Sequence, residues 1–95
     1  MKTENFKVKQ FTNFKNKPVN NHFTVFSSEF TMFVSYGSNI VKTTFEGGQR
    51  VVYLDERFYN YSKTTSKYRN MFLGEDSKTI ESKIKSGIYK LTNLN

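Results

Sequence analysis

Ile40-Val-Lys-Thr-Thr-Phe45-Glu46-Gly47-Gly48-Gln49-Arg50-Val-Val-Tyr-Leu54 sets two runs of β-branched and aromatic residues around a glycine pair. Such side chains suit a pleated, half-buried surface, and Gly47-Gly48 accepts the positive φ that a two-residue hairpin turn demands. The stretch predicts two antiparallel strands. On its amino-terminal side, Phe23-Thr-Val25-Phe26 and Phe30-Thr-Met32-Phe33-Val34-Ser-Tyr36 have the same composition, separated by Ser27-Ser28-Glu29 and followed by a turn at Gly37-Ser-Asn39. Connections this short require antiparallel neighbours. Residues 22 to 54 therefore predict a meander of about four strands, one of whose faces needs a cover.

The cover is expected from the carboxy-terminal half. Tyr61, Thr65, Tyr68 and Phe72 recur at helical spacing, with Ser62 or Thr64 placed to cap the start and Gly74 to end the helix in a left-handed conformation. Asp76 or Ser77 caps a second predicted helix, with Ile80 and Ile84 on one side, Glu81 and Lys85 as an i,i+4 pair, and Gly87 at the end. Ile88-Tyr-Lys-Leu91 is expected to dock as a last strand, leaving Thr92 to Asn95 as a tail. The fold class predicted is α+β, an antiparallel meander packed against one or two carboxy-terminal helices.

Residues 1 to 21 read differently. Five Lys stand against Glu4, interleaved with Phe6, Val8, Phe11 and Phe14, before Pro18 and Asn20-Asn21 interrupt any regular element. This predicts a basic, aromatic amino-terminal arm whose Phe rings dock on a single domain spanning 22–95. The alternative for the arm is that its rings stack on bases.

The formal net charge of +7 is uneven. Residues 1 to 21 and 57 to 73 each carry a net +4, whereas residues 22 to 56 carry a net −2. Clustered basic charge favours nucleic acid, a nucleoprotein or an acidic protein surface as partner, with plain solubility as the ordinary alternative. The chain has no Cys, which excludes a disulfide framework and a thiolate metal site. No apolar run reaches the length of a membrane span or a signal-peptide core, so a soluble protein that stays in the cytoplasm is expected.

Candidate binding residues concentrate between Arg57 and Leu73, which hold four basic side chains and no acidic one. Free backbone N–H groups in a first helical turn, hydroxyls and nearby cations are the groups that hold phosphate or carboxylate. The residues singled out are Arg57, Tyr59, Tyr61, Ser62, Lys63, Thr64, Lys67 and Arg69, the cations for anionic contacts, the hydroxyls for hydrogen bonds and the Tyr rings for stacking. The ordinary alternative makes the rings core, the hydroxyls caps and the cations a solvated face.

Catalytic patterns are thin. His22 is the single imidazole, and its position beside a turn predicts a surface or edge residue rather than a general base. It lacks the partners a metal site needs, so neither metal nor other cofactor is expected. Asp55 and Glu56 are neighbours on an extended chain and point opposite ways, which favours a cap or a partner for Arg57 over a metal-holding pair. Gly47-Gly48 is not followed by the Lys-Ser/Thr of a phosphate-binding loop. An enzyme is not expected.

Phe33-Val-Ser-Tyr-Gly-Ser-Asn-Ile40, Tyr59-Asn-Tyr-Ser-Lys-Thr-Thr-Ser-Lys-Tyr-Arg-Asn-Met-Phe-Leu-Gly74 and Lys83-Ile-Lys-Ser-Gly-Ile-Tyr-Lys-Leu91 resemble small, largely uncharacterised proteins carried by bacteriophages and plasmids. The shared pattern spans roughly residues 30 to 91. The resemblance implies a mobile-element accessory protein in a bacterial cytoplasm, a setting in which small proteins block host nucleases, anti-CRISPR proteins among them, or serve replication. The expected function is non-enzymatic inhibition of a host defence nuclease by binding the nucleoprotein or its nucleic acid. The alternatives are a single-strand nucleic-acid-binding accessory of phage replication, with the meander as platform, and a small structural or assembly protein.

Overall fold

The computed structural model describes residues 6–95. Along the chain run β1 (Lys7–Thr12), β2 (Pro18–Phe26), β3 (Phe30–Ser35), β4 (Ser38–Glu46), β5 (Gln49–Asp55), α1 (Lys63–Leu73), α2 (Ser77–Lys85) and β6 (Tyr89–Thr92). Among the described residues the strands form one six-stranded sheet in sequence order. The first five are antiparallel, and β6 pairs parallel to β5 after the two helices. The fold is α+β, with a mixed sheet two strands wider than the meander expected.

One added strand is β1. Lys7 pairs with Phe26 and Gln10 with Phe23, so residues 7 to 21, expected as an arm, form a sheet hairpin, and the boundary at 21 falls inside β2. Residues 1–5 lie outside the described residues. Pro18 is tolerated as the first residue of β2, where no ladder donor is required. The register slips between Gln10 and Thr12, and there the Gln10 amide donates to the carbonyls of Val19 at 2.6 Å and His22 at 3.0 Å. Asn21 takes a positive φ of 65° at this irregularity. The Asn pair therefore bends a strand that continues past it. Of the rings expected to dock, Phe11 does, 5.2 Å from the Phe33 ring and 5.7 Å from Tyr68, whereas Phe6 and Phe14 stay exposed.

Alternation along paired strands sorts the side chains into two faces. Thr24, Phe33, Val41 and Leu54 pair in one row and are buried beneath the helices. Ile40, Val52, Leu73, Ile80 and Tyr89 complete this core. Ile40 and Val41 are consecutive and both buried because the β3–β4 register shifts there, Val34 facing Asn39 and Phe33 facing Val41. The opposite face carries the row Val8, Val25, Met32, Lys42, Tyr53 and Lys90.

The helix caps follow the sequence. Ser62 Oγ accepts from Thr65 N at 3.1 Å, and Gly74 closes α1 at φ 71°. Asp76 caps α2 through Thr79 N at 2.7 Å. Asp55, at the end of β5, is a buried cap: its carboxylate accepts from the backbone N–H groups of Arg57, Phe58 and Leu94. The last residues are not a loose tail, because Asn39 exchanges hydrogen bonds with Leu94 and Asn95.

Candidate binding groove along the first helix

Helix α1 divides the basic block into an inner and an outer set. Thr65, Arg69 and Leu73, four residues apart, form its buried stripe. Arg69 is 1% exposed, which removes it from the cationic surface where the sequence placed it. Its Nη1 donates to the Tyr59 carbonyl at 2.6 Å, and Nε and Nη2 reach Asn70 Oδ1 at 3.2 and 2.9 Å. Nη2 also donates to Ser77 Oγ at 3.2 Å, so the guanidinium joins α1 to the start of α2. Burial lowers its pKa, and nearby Glu81 and Tyr59 oppose that shift. An arginine remains charged under such pressure.

Tyr59 is committed as well. Its ring lies under the Arg69 guanidinium at 5.8 Å, and its hydroxyl donates to Glu81 Oε1 at 3.1 Å. Burial, then the bond to Glu81, raises its pKa. Glu81 thus meets Tyr59 where the sequence pattern paired it with Lys85. Ser62 is spent on the cap, donating also to Thr65 Oγ1 at 3.2 Å. Arg57 is exposed at the turn after β5, its guanidinium 6.0 Å from the Phe58 ring. Tyr61 is exposed and meets Phe58 edge-on at 5.7 Å. Thr64 is exposed.

Lys63 and Lys67 stand on the outer side of α1, exposed, with no carboxylate within ion-pair distance among the described residues. Lys67 Nζ lies 5.3 Å from the Tyr68 ring. Together with Ser66, Asn70, Met71 and Gly74 they trace the stripe i, i+3, i+4, i+7, i+8, i+11 along a groove of about 770 Å³. Phe14, at the tip of the β1–β2 hairpin and 87% exposed, forms the facing wall. A second hollow of about 280 Å³ continues past Phe14, Lys67 and Met71 to Asn13 and Lys15. Glu75, Asp76 and Ser77 close the other end of the groove, with Glu75 bonded to Lys83 and the Tyr89 hydroxyl and Asp76 to the α2 cap. With both carboxylates so engaged, the lysines on one rim and the apolar floor suit an anionic partner that also carries a ring or apolar side chain. The sequence assigned Phe14 to the arm and missed Met71. Met71 lies one turn after Lys67 on the same helix face, a spacing that could have found it, whereas Phe14 comes to the groove only once β1 and β2 pair.

His22 is the largest departure. It is fully buried, not at the surface. Nδ1 donates to Asn20 O at 2.8 Å, and Nε2 lies in hydrogen-bond contact with Ser35 Oγ at 2.9 Å. Ser35 Oγ in turn lies 2.9 Å from Thr65 Oγ1. The chain from Ser62 through Thr65 and Ser35 to His22 ties α1 to β3 and β2. With Ser35 and His22 both buried, no substrate reaches this hydroxyl–imidazole pair. No group of three or more His, Asp or Glu that could hold a metal ion occurs among the described residues, and no described helix is long and apolar enough to cross a membrane.

Fold and groove define a small two-layer α+β protein with a lysine-rimmed cleft along its first helix. Residues 1–87 match the model of a family of unknown function, DUF8033, and the chain belongs to that family. No curated protein and no solved structure shows significant similarity to it.

Proposed function

We propose that this protein acts without chemistry of its own, by occupying an anionic macromolecular surface through the groove along α1. In the mobile-element setting that the sequence resemblance implies, the partner is a host defence nuclease or its nucleic acid, and binding inhibits it in the manner of an anti-CRISPR protein, in a bacterial cytoplasm. One observation carries the reading: Lys63 and Lys67 are exposed beside an apolar floor with no carboxylate in ion-pair distance among the described residues, while the other cation of α1, Arg69, is consumed inside the fold. Lys15 extends the cationic rim, and Arg57 lies on the turn preceding the helix.

The test is a pull-down from host extract, with and without nuclease treatment, using the natural protein and a Lys63→Glu, Lys67→Glu variant. Capture of a nuclease complex by the natural protein and its loss in the variant is the expected result. Equal capture by both proteins overturns the role of the groove. The exposed Phe14 ring beside Lys15 and Lys67 favours one second reading, a single-strand-binding accessory of replication. Absence of binding to random single-stranded oligonucleotides at low salt removes that reading.

A further inference from the structure

We infer that the helix-free face of the sheet is the interface of a homodimer, covered by the same face of a second copy. Both helices lie on the other side, where Thr65 reaches Ser35 and Phe72 stacks on Phe33. The helix-free face nevertheless carries Val8, Phe23, Val25, Phe30, Met32 and Val34, all wholly or partly exposed. In β2 the ordinary order is inverted: polar His22 and Thr24 are buried, while apolar Phe23 and Val25 face away from the helices. In β3, Phe33 faces the helices while Phe30, Met32 and Val34 line the other face, the mixed apolar pattern of a strand covered from both sides.

Charge selects the occupant. Among the described residues the β1–β3 half of this face has no charged side chain, and the β4–β6 half carries Lys42, Lys90 and Glu46, with Glu46 accepting from the Tyr53 hydroxyl at 2.6 Å. Nucleic acid needs a continuous cationic field, and among the described residues this face offers only Lys42 and Lys90, whereas Lys15, Lys63 and Lys67 line the groove. An apolar centre with a sparse rim of both signs is the composition of a protein interface. Lys42 and Glu46 lie four residues apart on β4, so the rim of one copy can meet that of another without opposing like charges. Edge-to-edge pairing is the poorer route, since β1 bears Lys7 and Lys9 and β6 has only four residues.

Sedimentation equilibrium from low to high micromolar concentration tests the inference. The natural chain is expected at twice 11.2 kDa, and Met32→Lys is expected to weaken association by about tenfold or more. Val8→Lys, at a position 65% exposed and outside the core, is the second probe and is expected to weaken it without loss of structure by circular dichroism. Lys63→Glu, on the groove, is expected to leave the dimer intact. A monomer at every concentration overturns the inference, as does a dimer indifferent to both face variants. A monomer whose Phe23 and Phe30 ring resonances shift on adding single-stranded oligonucleotide also overturns it and makes the face a nucleic-acid platform.

Discussion

On the inner side of α1 the Arg69 guanidinium is enclosed, its donors committed to Tyr59, Asn70 and Ser77. On the outer side Lys63 and Lys67 extend into water with no carboxylate partner among the described residues. All three belong to one uninterrupted basic block. Helical phase and donor geometry separate them. A planar fork can be satisfied by carbonyl, amide and hydroxyl oxygens of the fold, whereas a strongly hydrated ammonium on a flexible stem stays in solvent. Positive charge in a sequence is thus divided between holding the molecule together and meeting something else.

Arg69→Ala gives the sharpest way to break this division. It strips the Tyr59 carbonyl, Asn70 and Ser77 of a buried donor, and a loss of about 3 kcal/mol is expected. For a chain of this size that lowers Tm by roughly 12 to 24 °C. Full stability with lost partner binding would instead return Arg69 to the contact surface. Thr65→Val comes next. It keeps the volume but removes the hydroxyl between Ser62 and Ser35, for an expected loss of about 2 kcal/mol in urea unfolding. Thr64→Val, one position away and exposed, should change stability by under about 0.5 kcal/mol.

Acid sensitivity sharpens the comparison through Asp55. Burial pushes its pKa up, but the N–H groups of Leu94, Phe58 and Arg57, with the Asn95 side chain, outweigh that and leave it lowered. A carboxylate with a lowered folded-state pKa contributes stability that is complete above its unfolded value, about 3.9, and is lost as pH falls through the folded value. Asp55→Asn is expected to reduce stability at pH 7 by about 1 to 2 kcal/mol and to flatten the decline below about pH 5. Urea titrations at several pH values read both. An unchanged acid limb would show that other carboxylates, Glu75 foremost with its partners Lys83 and Tyr89, carry the dependence.

What could be read in the sequence follows from local chemistry. Gly47-Gly48, Ser62, Gly74 and Asp76 mark turns and caps because each conformation demands a particular residue type, and the structure uses all four there. The antiparallel strands from Phe23 to Leu54 were legible for the same reason. β1 was not, because Lys alternating with apolar residues in a six-residue strand looks like a basic arm until a partner is known. His22 and Arg69 depart from expectation because a polar side chain whose donors and acceptors are all met can be buried. In both, spacing held the better signal: His22 keeps register with Thr24, and Arg69 lies midway between Thr65 and Leu73. The groove joins Phe14 to Met71 across elements, and no local pattern records that.

The smallest change in stability should accompany the most telling change in binding. Lys63→Glu with Lys67→Glu alters two exposed side chains that hold no structural ion pair among the described residues, so unfolding free energy should move by no more than about 0.5 kcal/mol. If the groove meets phosphates, each lysine releases one counterion, and neutralising both as Lys63→Gln, Lys67→Gln should reduce the slope of log K against log salt by about 1.4 on single strands. If it meets acidic side chains of a protein, affinity still falls with salt but without counterion release from a polyanion, so the slope is shallow from the outset. Measuring the slope for the natural chain and the double Gln variant against the captured partner therefore distinguishes nucleic acid from protein at this surface. An identical slope and affinity for both would place Lys63 and Lys67 with the solvated charges and leave α1 only its inner side.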